Sequence, residues 1–250
     1  MKAVHISELN FGYPGRTPVL ENVAIAVDPG ERIGIIGPNG AGKTTLFMLL
    51  CGVASPVSGG LEVFGRPVEP GAFRPEVGMV FHHTSDQLIC PTVREDIAFG
   101  PQNTGLGEVE VDERVTSMSS ATGISHLLDR APHELSSGEQ RLVALTGILA
   151  MMPRLLILDE PTSDLDLRYR RRLIKMLADM RDHTIMVASH DLEFVLETCD
   201  RVLLLDGGRI QADGVPAEVM SEAHLMHEHG LEVPHSLLNT WHRHPDPELT

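Results

Sequence analysis

Short apolar runs alternate along the chain with segments of helical texture. Val23–Val27 and Arg32–Ile36 read as strands separated by the turn Asp28-Pro29-Gly30, and Met1 opens directly into another strand-like stretch. Val77–Phe81, Leu155–Leu158 and Thr184–Ala188 are further strands, and Arg201–Leu205 with Arg209–Ala212 form a closing hairpin around Asp206-Gly207-Gly208. Helices are predicted over Lys43–Cys51, Gly138–Met151 and the basic amphipathic stretch Asp166–Arg181. The segment from Phe64 to Pro75 is rich in Gly and Pro. From Pro91 to Arg130 the chain is polar and mostly helical, broken at Pro101, Gly105 and Gly107. Strands that are apolar at every position must be covered on both faces, which is the habit of parallel sheets. The expected class is therefore α/β. It comprises a mostly parallel sheet covered by helices, an N-terminal antiparallel β part, and an inserted helical subdomain at about residues 90–152. The main domain would run over 1–214, and 215–250 would be a short helical tail carrying six of the thirteen histidines.

Composition narrows the function classes. The chain has 250 residues, 42% hydrophobic and 22% charged, as expected of a soluble globular protein with a sizeable core. Twenty Lys and Arg stand against 35 Asp and Glu, a formal charge of −15. That balance excludes a basic footprint for nucleic acid and docking on anionic lipid by charge alone. Cys51, Cys90 and Cys199 are odd in number, far apart and without a CxxC pair, which fits a reduced compartment. No basic-then-apolar leader precedes the first strand, so no signal peptide is expected. The longest apolar run, Leu142–Met152, is too short to span a bilayer.

The chemistry concentrates at three places. Gly37-Pro38-Asn39-Gly40-Ala41-Gly42-Lys43-Thr44 fits GxxxxGK[ST] between an apolar strand and a helix. Backbone N–H groups of such a loop wrap phosphates, Lys43 reaches the β/γ pair and Thr44 offers its hydroxyl to Mg²⁺. A P-loop nucleoside-triphosphatase core follows. Leu155–Leu158 then runs into Asp159-Glu160, two carboxylates at the carboxyl edge of the sheet, where Asp159 would hold Mg²⁺ and Glu160 would polarise an attacking water. Ser136 with Glu139 forms an S-x-x-E capping box, so a helix starts there.

Asp159 follows Gln140 by nineteen residues, and this order of elements resembles the nucleotide-binding subunits of ATP-binding cassette transporters. The likeness covers residues 3 to about 220. Leu135-Ser136-Ser137-Gly138-Glu139-Gln140 resembles the family signature, with Ser137 where glycine is usual and Glu139 where glutamine is common. Ser163-Asp164-Leu165-Asp166 resembles the D-loop, Tyr13 the aromatic that stacks on adenine, and His190 the switch histidine. The resemblance implies ATP and Mg²⁺ as cofactors. Nucleotide would be held by Tyr13, by Gly37, Pro38, Asn39, Gly40, Ala41, Gly42, Lys43, Thr44 and Thr45, and by Ser136, Ser137, Gly138 and Asp166. Mg²⁺ would be held by Thr44 and Asp159, and Glu160, His190 and His82 would be catalytic. Two subunits, alike or not, would sandwich two ATP molecules head to tail, the helix start after Ser136 facing the γ-phosphate of the other subunit's nucleotide. The motion would drive separate transmembrane subunits from the cytoplasmic face.

Asp86-Gln87-Leu88, Pro91-Thr92-Val93 and Glu95–Pro101 are similar to energy-coupling-factor ATPases, which energise uptake of vitamins and of cobalt or nickel. Glu228–Leu237 is most like the cobalt/nickel branch. His82 departs from the family pattern, standing where glutamine follows Val80-Phe81. A neutral imidazole donates one hydrogen bond and accepts another, so it can imitate the amide. The alternative is that His82 faces solvent and Gln87 does the sensing. The tail histidines, with His224, His227 and His229 close together and His242 and His244 flanking Arg243, lack the spacing of a built metal site and suggest a solvated tail. Two rivals fit less well. Soluble cassette ATPases carry two cassettes or a long coiled coil, and P-loop kinases or GTPases do not account for Leu135–Gln140.

Overall fold

The structure is a computed structural model that describes every residue except Arg16, Asp164, Arg181 and 239–250. The first strands, β1 (Val4–Phe11) and β2 (Leu20–Val27), alternate buried and more exposed positions. They pair antiparallel, and β1 also pairs with β4 (Ser58–Val63), which carries the two-residue β5 (Arg66–Pro67). The result is a four-stranded antiparallel sheet of order β2-β1-β4-β5. Its second half differs from the sequence reading, which left Ser58–Pro67 without a strand. Gly59 explains the texture: at φ +95 it lies against the Glu8 carbonyl, where a Cβ would collide.

The larger sheet contains β3 (Arg32–Ile36), β6 (Val77–Val80), β7 (Leu155–Asp159), β8 (Thr184–Ala188), β9 (Arg201–Asp206) and β10 (Arg209–Gly214). Among the described residues its order is β10-β9-β3-β8-β7-β6, parallel except for the antiparallel edge strand β10. Every residue of β7 and β8 is buried, which is why neither shows polar alternation. One face packs with the antiparallel sheet and α1 (Lys43–Leu50) around Phe47, Leu49 and Ile157. The other face packs against α4 (Ser137–Ala150), α5 (Leu167–Asp179) and α6 (Leu192–Thr198) around Phe194, Leu173 and Leu145. A third apolar cluster joins α2 (Val93–Asn103) and α3 (Glu108–Thr122) to α4 through Ile97, Val115 and Val143.

Helix α5 is shorter than the periodicity predicts. Asp166 lies outside it as N-cap, its Oδ1 accepting from Tyr169 N at 2.9 Å, and Met180 leaves helical geometry. The tail also departs from expectation. After α7 (Pro216–Ser221), α8 (Ala223–Glu228) buries Met226 completely, and Leu231, Val233 and Leu237 pack on the second cluster. His229 Nδ1 sits 2.8 Å from Asp206 Oδ2, and Ser236, in α9 (His235–Leu238), bonds Glu193 through both its N–H and its hydroxyl. As far as residue 238 the tail is docked through these residues, while His224, His227 and His235 remain exposed as expected. His242 and His244 lie outside the described residues. Among the described residues no three His, Cys, Asp or Glu side chains gather as a metal-ion set.

Candidate active site

Four parallel strands deliver the site from their carboxyl ends. Beyond β3 the chain turns through Gly37 at φ +151, where a Cβ would strike the Leu205 carbonyl oxygen. It enters α1 at Gly42, φ +105, so the first N–H groups of the helix point into the loop. Lys43, 7% exposed, bends back and donates to the Gly37 carbonyl at 2.7 Å and the Pro38 carbonyl at 3.1 Å. Burial pushes its ammonium below the ordinary value, outweighing the opposing pull of Glu160 and Asp159. A phosphate in this loop would favour the charged ammonium.

At the end of β7, Asp159 accepts the Thr44 hydroxyl on Oδ2 at 2.8 Å, while its buried Oδ1 has no hydrogen-bond partner. Burial pushes its carboxyl up, against the Thr44 bond and nearby cations. A hydroxyl beside an unpartnered buried carboxylate oxygen is a donor set that suits Mg²⁺. The next residue, Glu160, has φ +48, uncommon for a residue with a side chain. Its carboxylate turns toward β8. Oε2 accepts from His190 N at 3.0 Å, and His190 Nε2 lies 3.2 Å from Oε1. From β6 comes His82.

One cavity of about 410 Å³ is lined by Asn39, Gly40, Ala41, Gly42, Lys43, Thr44, Thr45, His82, Glu160 and His190, together with Val19 and Ser163; Gly37, Pro38 and Asp159 stand behind this lining, bonded to Lys43 and Thr44. Of the two residues considered for sensing, His82 lines this cavity and Gln87 does not. The Gln87 amide is spent on β6, donating to Met79 O at 2.9 Å and accepting from Phe81 N at 2.8 Å. Other residues named from the sequence lie elsewhere. Tyr13 lines a separate cavity of about 370 Å³ with Phe11 and Arg209. Asp166 caps α5, and Asp164 is not described. Ser136 and Ser137 are exposed at the start of α4, away from this cavity. The capping box there is formed: Glu139 N donates to Ser136 Oγ at 3.4 Å, and Ser136 N donates to Glu139 Oε2 at 2.9 Å. Gly138 lies under Tyr169 of α5, whose ring a Cβ would meet at 2.9 Å.

Three lining or supporting residues carry no site assignment from the sequence. Val19 carries no signal, and Ser163 was legible only as part of the D-loop pattern. Arg141 is buried, donating from Nη1 to the Glu160 carbonyl at 2.8 Å and from Nη2 to the His82 carbonyl at 3.0 Å.

The sequence pattern of the family described as ABC transporter matches residues 20–163. A Synechocystis sp. protein named as an ABC transporter ATP-binding protein is 52% identical over 235 residues, 94% of this chain and 82% of that protein. The energy-coupling factor transporter ATP-binding protein EcfA of Methanothermobacter thermautotrophicus is 42% identical over 245 residues, 94% of this chain and 79% of that protein. The solved structure of cbiO1 from Clostridium perfringens, described as part of the ABC transporter complex cbiONQ, superposes with a TM-score of 0.80 at 34% identity. It covers 96% of this chain and 98% of that one.

Proposed function

The chain belongs to the ABC transporter family and is the ATPase of a transporter complex, and on that premise we propose that it energises an importer of the energy-coupling-factor type, for cobalt or nickel. The observation that carries the catalytic part is the convergence of phosphate loop, Glu160 and His190 in one cavity, with Asp159 bonded to the lining residue Thr44. ATP phosphates bind the loop N–H groups and Lys43. Thr44 and Asp159 hold Mg²⁺, which supplies charge neutralisation on the phosphates. Glu160 takes the proton of the attacking water, held toward the cavity by the His190 N–H, and His82 stands where it can sense the γ-phosphate. The exposed Ser136 and Ser137 and the bare start of α4 serve the nucleotide of a second cassette subunit, so each site is composite.

A third cavity, of about 320 Å³, supports a membrane partner. Its walls include Phe73, Ile89 and Phe99, which are 58%, 67% and 49% exposed. Such an exposed apolar groove fits a segment of a transmembrane subunit. Among the described residues no helix is long and apolar enough to cross a membrane, so attachment at the cytoplasmic face is peripheral and runs through that subunit. Cobalt or nickel rests on the likeness of Glu228–Leu237 to that branch of the family. The third apolar cluster supports reading about 90–152 as a helical insert in a cassette of 1–214, with 215–250 as tail.

The test is a detergent pull-down followed by reconstitution of the recovered complex in vesicles. ATP-dependent uptake of cobalt or nickel is the expected result. Uptake of a vitamin instead would transfer the importer to the other branch, and recovery of the ATPase without membrane subunits would refute the transport reading.

A further inference from the structure

The buried guanidinium of Arg141 joins three parts of the molecule. It is the fifth residue of α4, which Ser136 caps and whose first turn carries Gly138, and it is 8% exposed. One nitrogen donates to the backbone carbonyl of Glu160 at 2.8 Å and another to that of His82 at 3.0 Å. These carbonyls follow two different strands, β7 and β6. A guanidinium offers N–H donors in a fixed planar fork, so holding both carbonyls fixes the separation and tilt of the two loops. Lysine, with one nitrogen on a flexible stem, does not impose that geometry.

The Glu160 peptide needs such a restraint. Its φ of +48 is held from three directions: Glu160 N donates to Ala188 O at 2.8 Å, Ser163 N donates to Glu160 O at 3.2 Å, and Arg141 donates to the same carbonyl. A residue in a sparsely populated conformation persists where its surroundings over-determine it. Arg141 does not line the cavity, so it acts through the residues that do.

We infer that Arg141 is a positioning residue for hydrolysis, which ties the signature helix to the backbone of Glu160 and of the His82 loop and so sets the aim of the Glu160 carboxylate. The inference rests on Glu160 being the base. Its distinctive consequence is a split between turnover and affinity: Lys43 and the loop N–H groups bind ATP without Arg141, whereas the aim of the carboxylate depends on it.

The experiment compares Arg141→Ala, Arg141→Lys and Glu160→Gln in the full chain, measuring kcat, ATP affinity and thermal melting. Displacing a reacting group by about an ångström costs on the order of 10²-fold in rate. Arg141→Ala should therefore lose about that factor in kcat with ATP affinity within about threefold of wild type. Guanidinium ion at millimolar concentration should restore part of the Arg141→Ala rate and none of the Glu160→Gln rate. Arg141→Lys, which keeps charge and bulk, should fall between and carries the comparison if the alanine variant does not fold. Unchanged kcat in the Arg141 variants beside an inactive Glu160→Gln overturns this inference alone. A fall in affinity equal to the fall in kcat also overturns it, since that is a collapsed site. Retained hydrolysis by Glu160→Gln overturns the reading on which it rests.

Discussion

Asp159→Asn should make the nucleotide-free protein more stable and its Mg²⁺-dependent binding of ATP much weaker. Asp159 is 1% exposed, its Oδ2 takes the Thr44 hydroxyl, and its Oδ1 is buried without a hydrogen-bond partner. Burial raises its pKa above the ordinary 3.8, so the cost of burying the charge exceeds what the Thr44 bond and the nearby cations Lys43 and Arg141 return. The sign follows from proton linkage. A carboxyl with a raised folded-state pKa favours folding fully below its ordinary value, and that contribution is lost as pH rises through the raised one. Above that raised value the fold carries an ionised carboxylate at a net cost. Asparagine keeps an oxygen for Thr44 and puts a neutral NH₂ where the unpartnered charged oxygen stood, a cheaper group to bury. The gain should be about 1 kcal/mol, the scale for relieving a site strained for function. For a chain of this size that raises the melting temperature by roughly 2–4 °C. Melting followed by circular dichroism between pH 4 and 8 checks it. The two proteins should converge at the acid end, and ATP with Mg²⁺ should stabilise the wild type far more than the variant. A variant less stable than wild type at neutral pH, or a gap that ignores pH, would refute the reasoning.

Three further outcomes follow from other parts of the molecule. Met226→Ala should cost about 2–4 kcal/mol, because the side chain is fully buried against the second cluster, and an unchanged melting temperature would mean the tail is loosely held. His82→Gln should keep ATP binding, ATPase and transport, because an amide donates and accepts as a neutral imidazole does, whereas His82→Ala should lose turnover; wild-type turnover and transport in His82→Ala would assign the sensing elsewhere. Mixing Lys43→Ala subunits with Ser136→Arg subunits should recover part of the ATPase, because one composite site survives in each mixed dimer. No recovery despite proven mixed dimers would count against sharing of sites between subunits.

How much of this was legible depended on how local the determinant is. The phosphate loop and the Asp159-Glu160 edge are contiguous residues whose spacing encodes their geometry; Asn39 to Thr45 and Glu160 line one cavity, and Asp159 reaches it through its bond to Thr44. The Ser136–Glu139 capping box is equally local and is present. Strand β4 was hidden because its glycines serve a close pairing with β1 and imitate a loop. Arg141 was hidden because its partners are two backbone carbonyls, 59 and 19 positions distant in sequence, that leave no trace in side-chain pattern. The tail misled for a similar reason: its histidines are conspicuous, whereas Met226, Leu231 and Val233, which dock it, are spread too thinly to form a period. Asp166 was assigned to nucleotide from the D-loop resemblance, and its capping of α5 is a local role that its position before a helix also announced. Tyr13 was assigned to adenine in the same way, yet it lines a cavity distinct from that of the phosphate loop.

The most direct test of Glu160 as the base is ATP turnover by Glu160→Gln at saturating ATP and Mg²⁺, with bound nucleotide and oligomeric state read in the same sample by light scattering after gel filtration. The glutamine preserves the acceptor from His190 N–H and removes the proton-accepting charge. Turnover should fall by roughly 10²–10⁴ while ATP stays bound and holds two subunits together. Hydrolysis within about tenfold of wild type, or loss of ATP binding along with turnover, would contradict the assignment of Glu160 as base.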